Sequence, residues 1–241
     1  GVRFKTKCDT EVLLESFIFW GKDCLTKING MFAFAIYDFK KEELTMARDR
    51  FGIKPLYFSL TNNNRGIVYS SEIKTLIESN IIEKNINLDA ISSYLSFRYP
   101  YGVGSFFNKI TKVEPGEVLV FSNGKINKKK YWEIPLIQET KNSIKEETLL
   151  EDLVNILDSV VKDHLESDVS VGSLLSGGLD SSLITTMMNK YQKNFNTYSA
   201  SFDNEGYDEN SYAKIVSSQI FSNHTNIKLN SKNYFESLDK I

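Results

Sequence analysis

The 241 residues predict two folds in succession: an α+β part over residues 1–134 and an α/β part over 147–241, joined by a linker at 135–146. Three observations predict this. Up to Trp132 the chain is mostly short alternating apolar and polar runs punctuated by turn signals, the pattern of antiparallel strands. Beyond residue 146, helix-like and strand-like runs alternate strictly, which predicts a parallel sheet with helices on both faces. Between the two, residues 135–146 are polar and without period. No internal repeat is visible.

In the first part, Val12, Leu13, Phe17 and Trp20 recur at helical spacing, so residues 10–20 form a helix with Asp9 or Thr10 as its N-cap. Residues 31–39 alternate as a strand, with Phe32, Phe34 and Ile36 facing one way and Ala33, Ala35 and Tyr37 the other. The polar turn Lys40–Glu43 leads back into a strand at 44–47, giving a hairpin. Short strands follow at 55–58 and 66–70, then helices at 72–79 and 88–97. Strands at 110–113, 117–121 and 126–131 complete this part, with Ser122–Asn123–Gly124 as a hairpin turn.

The second part opens with a long helix whose Leu149, Leu153, Ile156, Leu157, Val160, Val161 and Leu165 share one side. A strand at 169–175, a helix at 180–191, a strand at 197–202, a helix at 208–221 and a strand at 225–229 follow. On the 180–191 helix, Leu183, Ile184, Met187, Met188 and Tyr191 form one face.

Composition excludes several classes. Hydrophobic content is 41% and charged content 25%, ordinary for a globular protein. A net charge of -2 gives no whole-chain attraction to polyanions. Lys128–Lys129–Lys130, beside Tyr131–Trp132, is the one basic cluster and reads as the solvated end of a hairpin rather than a nucleic-acid contact. No stretch is long and apolar enough to span a membrane, and no signal peptide is visible, so no membrane or nucleic-acid partner is expected. Two cysteines, Cys8 and Cys24, make no disulfide framework, and the expected location is a reducing cytoplasm. The chain starts at Gly1 and its last apolar stripe, Tyr234, Phe235, Leu238 and Ile241, simply stops, so an internal fragment of a longer protein is expected.

The stretch Leu174–Ser182 carries the chemistry. An apolar strand ends at Ser176–Gly177–Gly178 and a helix begins directly after it. Glycines let backbone approach a ligand, and the free N–H groups of a helix start, with roughly half an elementary charge of dipole, attract an anion. Ser176, Ser181 and Ser182 add hydroxyl donors. Asp180 would repel a phosphate unless a magnesium ion bridged the two. No Gly-Lys-Ser/Thr follows the glycines, so this is not a Walker A loop.

The loop resembles the Ser-Gly-Gly-x-Asp-Ser pyrophosphate loop of the PP-loop ATP pyrophosphatases. The whole chain resembles the glutamine-hydrolysing asparagine synthetases. Asp9–Leu14, Asn29–Asp38, Ala47–Tyr57, Ser70–Lys74, Pro115–Glu117, Tyr131–Trp132, Ser167–Val169, Phe202–Asp203 and Tyr207–Glu209 are similar to blocks of that family in the same order. The resemblance implies a partial class II glutaminase domain of the N-terminal-nucleophile hydrolase type. It implies behind it a partial, Rossmann-like PP-loop domain that uses ATP and Mg²⁺ to adenylate aspartate, which ammonia from glutamine then converts to asparagine. Glutamine, aspartate and ATP are the implied partners, and a homodimer is compatible with the family.

The resemblance also implies roles. The glutaminase nucleophile, an N-terminal cysteine, is missing from this chain, and Cys8 reads as a small buried residue instead. Asp9 matches the residue that binds the glutamine α-ammonium, a role compatible with helix capping. Arg48, Asp49, Arg50 and Lys54 read as an internal salt-bridge network, and Ser71 as an N-cap. Leu175, Ser176, Gly177, Gly178, Leu179, Asp180, Ser181, Ser182 and Ala200 match ATP-binding positions, with Asp180 also the metal ligand that serves adenylation. Ser170 and Ser201 stand where the family often has Pro and Gly, and Ser201 is close enough in sequence to Ala200 to crowd or bond the base. Two other readings remain open: a same-architecture amidotransferase with another acceptor (β-lactam synthetase-like, or a sugar or peptide carboxylate), and a non-catalytic binding protein that kept the fold. A tRNA-modifying or GMP- or NAD-forming PP-loop enzyme would lack the Gly30–Ala35 and Ser70–Lys74 blocks, and no nucleic-acid stripe is present.

Overall fold

The computed structural model describes residues 3–136, 145–202 and 210–229. The chain divides into two compact units, Gly1–Ile137 and Gln138–Ile241. Most of the 135–146 linker, the Asp203 and Tyr207–Glu209 blocks and the Tyr234–Ile241 stripe lie outside the described residues.

The first unit runs α1 (Asp9–Trp20), α2 (Cys24–Lys27), β1 (Ala33–Asp38), β2 (Glu43–Arg48), β3 (Tyr57–Leu60), β4 (Ile67–Ser70), α3 (Ile73–Glu78), α4 (Leu88–Phe97), β5 (Thr111–Lys112), β6 (Glu117–Ser122) and β7 (Lys125–Lys130). Two antiparallel sheets result, in the orders β1-β2-β6-β7 and β4-β3-β5. Period-two alternation gives the first sheet two buried faces. Leu44, Met46 and Leu119 pack on Leu56, Phe58 and Val113 of the second sheet and its flanks. Ala47 and Val118, on the other face, meet Cys24 and Leu25 of α2 and Phe17 of α1. The expected alternation of residues 32–35 holds, with Phe32 and Phe34 on the helix side and Ala33 and Ala35 on the sheet side. Tyr57 and Val68 of the second sheet pack on Ile73, Leu76 and Ile77 of α3. The order of layers is therefore helix, sheet, sheet, helix.

Several local expectations are corrected. The N-cap of α1 is Cys8, which is exposed rather than buried, and Asp9 is the first helical residue. No side chain caps α1; the Glu11 carboxylate instead reaches back to the preceding segment, accepting from the Lys5 and Thr6 N–H groups at 2.8 and 2.6 Å. Ser71 is not a cap either: α3 is entered from Glu72 without a side-chain cap. The strand expected from Pro55 begins at Tyr57, as a residue without an N–H cannot extend the ladder. Asn123 and Gly124 do turn the β6–β7 hairpin, with φ of 50° and 72°. Lys128 and Lys130 lie at its open end and are only partly solvated: Lys128 Nζ sits over the Phe58 ring, and Lys130 donates to Pro115 O at 2.8 Å.

The second unit runs α5 (Glu146–His164), β8 (Ser173–Leu174), α6 (Leu179–Tyr191), β9 (Asn196–Phe202), α7 (Asn210–Gln219) and β10 (Asn223–Leu229). Its parallel sheet has the order β10-β9-β8. β8 pairs over two residues only, much shorter than the expected 169–175. Right-handed crossovers in this strand order bring α6 and α7 to the same face, where they touch. Ser173 bonds Thr185 of α6, so its register partner Thr197, and with it Ser199 and Ser201 two and four residues further along β9, face the helices and are buried. Leu174, Tyr198 and Ile227 point to the opposite face and are exposed. Two-sided helical cover is thus not found among the described residues. Of the α5 stripe, Leu157, Val161 and Leu165 pack with Met187, Met188 and Phe195, whereas Leu149, Leu153, Ile156 and Val160 stay exposed.

Candidate functional site

The 174–182 loop leaves the sheet at Leu175, whose N–H donates to Tyr198 O at 2.8 Å and whose side chain is fully buried. Ser176 Oγ accepts from the Gly178 N–H at 3.3 Å and lies 3.0 Å from Ser181 Oγ, and the Ser181 hydroxyl is also within 3.2 Å of Gly178 O. The two serines thereby brace the glycine turn from both ends. Gly177 has φ of 90° and Gly178 caps α6 without any side-chain hydrogen bond. The first turn of α6 consequently presents N–H groups that no capping side chain covers, at the positive end of the helix dipole. Ser182 Oγ is buried and has no hydrogen-bond partner, an unmet donor a phosphate oxygen would satisfy. Asp180 is exposed in that same first turn.

The structure brings Ser176, Gly177, Gly178, Leu179, Asp180, Ser181 and Ser182 into one turn and helix start, with Leu175 fixed behind it as core. Ala200 is exposed on β9, on the face opposite the buried Thr197, Ser199 and Ser201. Ser201 does not crowd the Ala200 surface, because its hydroxyl accepts from Asn226 Nδ2 at 2.9 Å on the helix side. Ser170 is exposed. No group of three or more His, Cys, Asp or Glu side chains is assembled among the described residues, so a cation beside Asp180 would need phosphate oxygens as further ligands.

In the first unit Asp9 borders a cleft of about 610 Å³ with Leu13, Gly30, Lys54 and Ser71 among its lining residues. The Asp9 carboxylate accepts only from its sequence neighbours, Cys8 Sγ at 3.5 Å and Thr10 Oγ1 at 3.4 Å. It caps no backbone N–H of α1 and is open to an ammonium group. Sequence reasoning did not place Lys54 here; nothing in its local pattern distinguishes a cleft lysine from one in a charge cluster.

The expected salt-bridge network of Arg48, Asp49, Arg50 and Lys54 is corrected. The charges of Arg48, Asp49 and Arg50 bind backbone instead, and Lys54 enters only through its own backbone N–H and O. Buried Asp49 accepts from the Phe51, Ile53 and Lys54 N–H groups at 3.2, 2.9 and 3.0 Å. Arg48 donates to Lys54 O, Val113 O and Gly52 O at 2.7, 2.8 and 2.6 Å. Arg50 donates to Ile28 O and Thr26 O at 2.9 and 3.1 Å. Tyr131 OH adds a bond to Arg48 O at 2.8 Å, and burial pushes its hydroxyl pKa up to about 12. The desolvated turn gives both signs of charge better partners in oriented amides than in each other.

A four-layer unit with a cleft bordered by Asp9 and Lys54 is followed by a parallel-sheet unit with a loop suited to an anion, and the first of these matches the amidotransferase class. The glutamine amidotransferase domain family model matches residues 1–132, and the asparagine synthase family model matches residues 152–241. The chain belongs to the glutamine amidotransferase family and carries an asparagine synthase module behind that domain. It is 35% identical to a putative asparagine synthetase [glutamine-hydrolyzing] 2 of Methanocaldococcus jannaschii, an alignment covering 98% of this chain and 46% of the relative. It is 33% identical to asparagine synthetase [glutamine-hydrolyzing] 1 of Bacillus subtilis, covering 100% of this chain and 37% of the relative. With asparagine synthetase [glutamine-hydrolyzing] 3 of the same organism it shares 35% identity over 78% of this chain and 30% of the relative. The chain therefore spans less than half the length of these relatives. No helix among the described residues is long and apolar enough to cross a membrane.

Proposed function

We propose that this chain is the part of a glutamine-hydrolysing asparagine synthetase that joins glutamine binding to ATP binding, with an N-terminal-nucleophile hydrolase type domain before the 135–146 boundary and a Rossmann-like PP-loop domain after it. The observation that supports it most is the 174–182 loop, where braced glycines, an uncapped helix start and the unpartnered Ser182 hydroxyl suit a polyphosphate. The matches of the two parts, in that order, agree with it.

In the reaction, an aspartate side-chain oxygen attacks the α-phosphorus of ATP. The bond to the β-phosphate breaks and pyrophosphate leaves. Ammonia from glutamine then attacks the acyl carbon, AMP departs with the C–O electron pair, and loss of a proton gives asparagine. Amides of Gly177, Gly178 and Leu179 and the hydroxyls of Ser176, Ser181 and Ser182 hold the leaving pyrophosphate by fixed donors, which is electrostatic stabilisation of developing charge. A magnesium ion, held by Asp180 together with phosphate oxygens, would neutralise part of that charge. Leu175 backs the loop, and Ala200 offers a small apolar surface for the base. Asp9 binds the α-ammonium of glutamine. The cysteine that attacks the glutamine amide is not among these residues, and neither is Cys8 placed to replace it, since it caps a helix within the chain.

The test uses the whole protein with glutamine, aspartate and Mg-ATP. Asparagine, AMP and pyrophosphate should appear in equal amounts. Pyrophosphate release that does not depend on aspartate would overturn the asparagine reading.

A further inference from the structure

We propose that the first turn of α7, through Tyr212 and Ala213, is the abutment that fixes the shape of the phosphate loop, and that both are positioning residues for ATP. This rests on the nucleotide reading of the loop and adds to it a second element, remote in sequence. A Cβ at Gly177 would stand 2.6 Å from Ala213 N, 2.6 Å from Tyr212 Cβ and 2.9 Å from Tyr212 C. Two of those atoms are helix backbone and cannot swing aside as a side-chain tip can. Gly177 also has φ of 90°, so the loop both turns and touches α7 where only glycine fits.

α7 is itself anchored. Ala213 and Ser217 are buried, Ile220 at the helix exit packs with Val161 and Met188, and Ser222 bonds Thr197 of β9 at 2.9 Å. The loop is thus held from two sides, by β9 through Leu175 and by α7 through Gly177. The amides that meet phosphate take their direction from both. Each aligned donor lost to a charged phosphate oxygen costs roughly tenfold in affinity, so disturbing the turn disturbs several at once.

The test is calorimetric titration of the whole protein with Mg-ATP, alongside thermal unfolding. Gly177→Ala should raise the Kd about a hundredfold, the worth of roughly two donors to phosphate. Adding Tyr212→Gly to it should recover part of the loss, because one of the three obstructing atoms is removed, giving a non-additive cycle. Tyr212→Gly alone gives the loop slack and should weaken binding about fivefold while the protein remains folded, which serves if Gly177→Ala does not fold. A merely structural role would lower the unfolding temperature and leave the Kd unchanged. Unchanged affinity in the folded glycine-loop or Tyr212→Gly variants, or strict additivity in the cycle, would overturn the abutment. A wild-type protein that binds no Mg-ATP would overturn the nucleotide reading and the abutment with it, whereas uncoupled variants of a binding wild type refute the abutment alone.

Discussion

Asp49 carries one of the few fully buried charges in the first unit, and its three N–H partners lie within the four residues Phe51–Lys54. Asp49→Ala should therefore lower stability by about 3 kcal/mol, the worth of charged hydrogen bonds lost together with donors left unmet. Denaturant unfolding measures it. This arrangement was not legible beforehand. The charges of Arg48–Asp49–Arg50 are visible in sequence, but their partners are carbonyls and amides, and Val113 lies 65 positions from Arg48. Backbone atoms carry no residue-type signal. The 174–182 loop was legible for the opposite reason: its donors, its turn and its helix start are contiguous, so spacing alone brings them together. Asp9 lay between these cases, its position readable and its cleft not. Cys8 misled because a small thiol is usually buried, and here a cap position at the helix entrance exposes it.

At the level of elements, β9 and β10 share a buried polar ladder on their helix side. Thr197 Oγ1 lies 3.0 Å from His224 Nδ1, Ser199 Oγ lies 3.2 Å from His224 Nε2, and Ser199 and Ser201 are both bonded to Asn226. Burial holds the His224 pKa below its ordinary value, aided by the Lys214 charge on α7. The folded state thus favours neutral imidazole, while the unfolded chain takes up the proton near its usual pKa of about 6.5. The stabilising difference is complete above that pH and is lost as the pH falls below it. Urea midpoints should fall between about pH 7.5 and pH 5.5, and fall less in His224→Gln. Strand ends were less legible than strand existence. β8 shrinks to two residues because pairing, not apolar content, defines a strand, and Val169 and Val171 find no partner strand. Gly116 offers a second test. With φ of 64° and a Cβ that would stand 2.4 Å from Trp132 O, Gly116→Ala should cost about 2 kcal/mol or more.

For the molecule as a whole, the order of two units was legible because alternation changes character once, near the linker. The layering of the first unit was partly so: alternating apolar residues announce strands with two buried faces, but not which face meets helices. In the proposed reaction, the two carboxylates sit in different units, Asp9 in one and Asp180 in the other. Their loss should be separable. In the whole protein, Asp180→Ala should abolish Mg-ATP-dependent pyrophosphate release and leave glutamine hydrolysis, whereas Asp9→Ala should raise the KM for glutamine at least tenfold and leave ammonia-driven synthesis intact. Glutaminase and pyrophosphate assays run in parallel check both.

The side of the parallel sheet that no helix covers among the described residues has a practical consequence. Leu174, on the two-residue edge strand β8, is 82% exposed, Ile227, on the opposite edge strand β10, is 52% exposed, and Tyr198 of β9 lies between them on the same face. Nonpolar surface next to open strand edges is adhesive. Produced alone, these 241 residues should clump as concentration rises, scattering light and lighting up hydrophobic dyes, and Leu174→Lys should make the preparation better behaved.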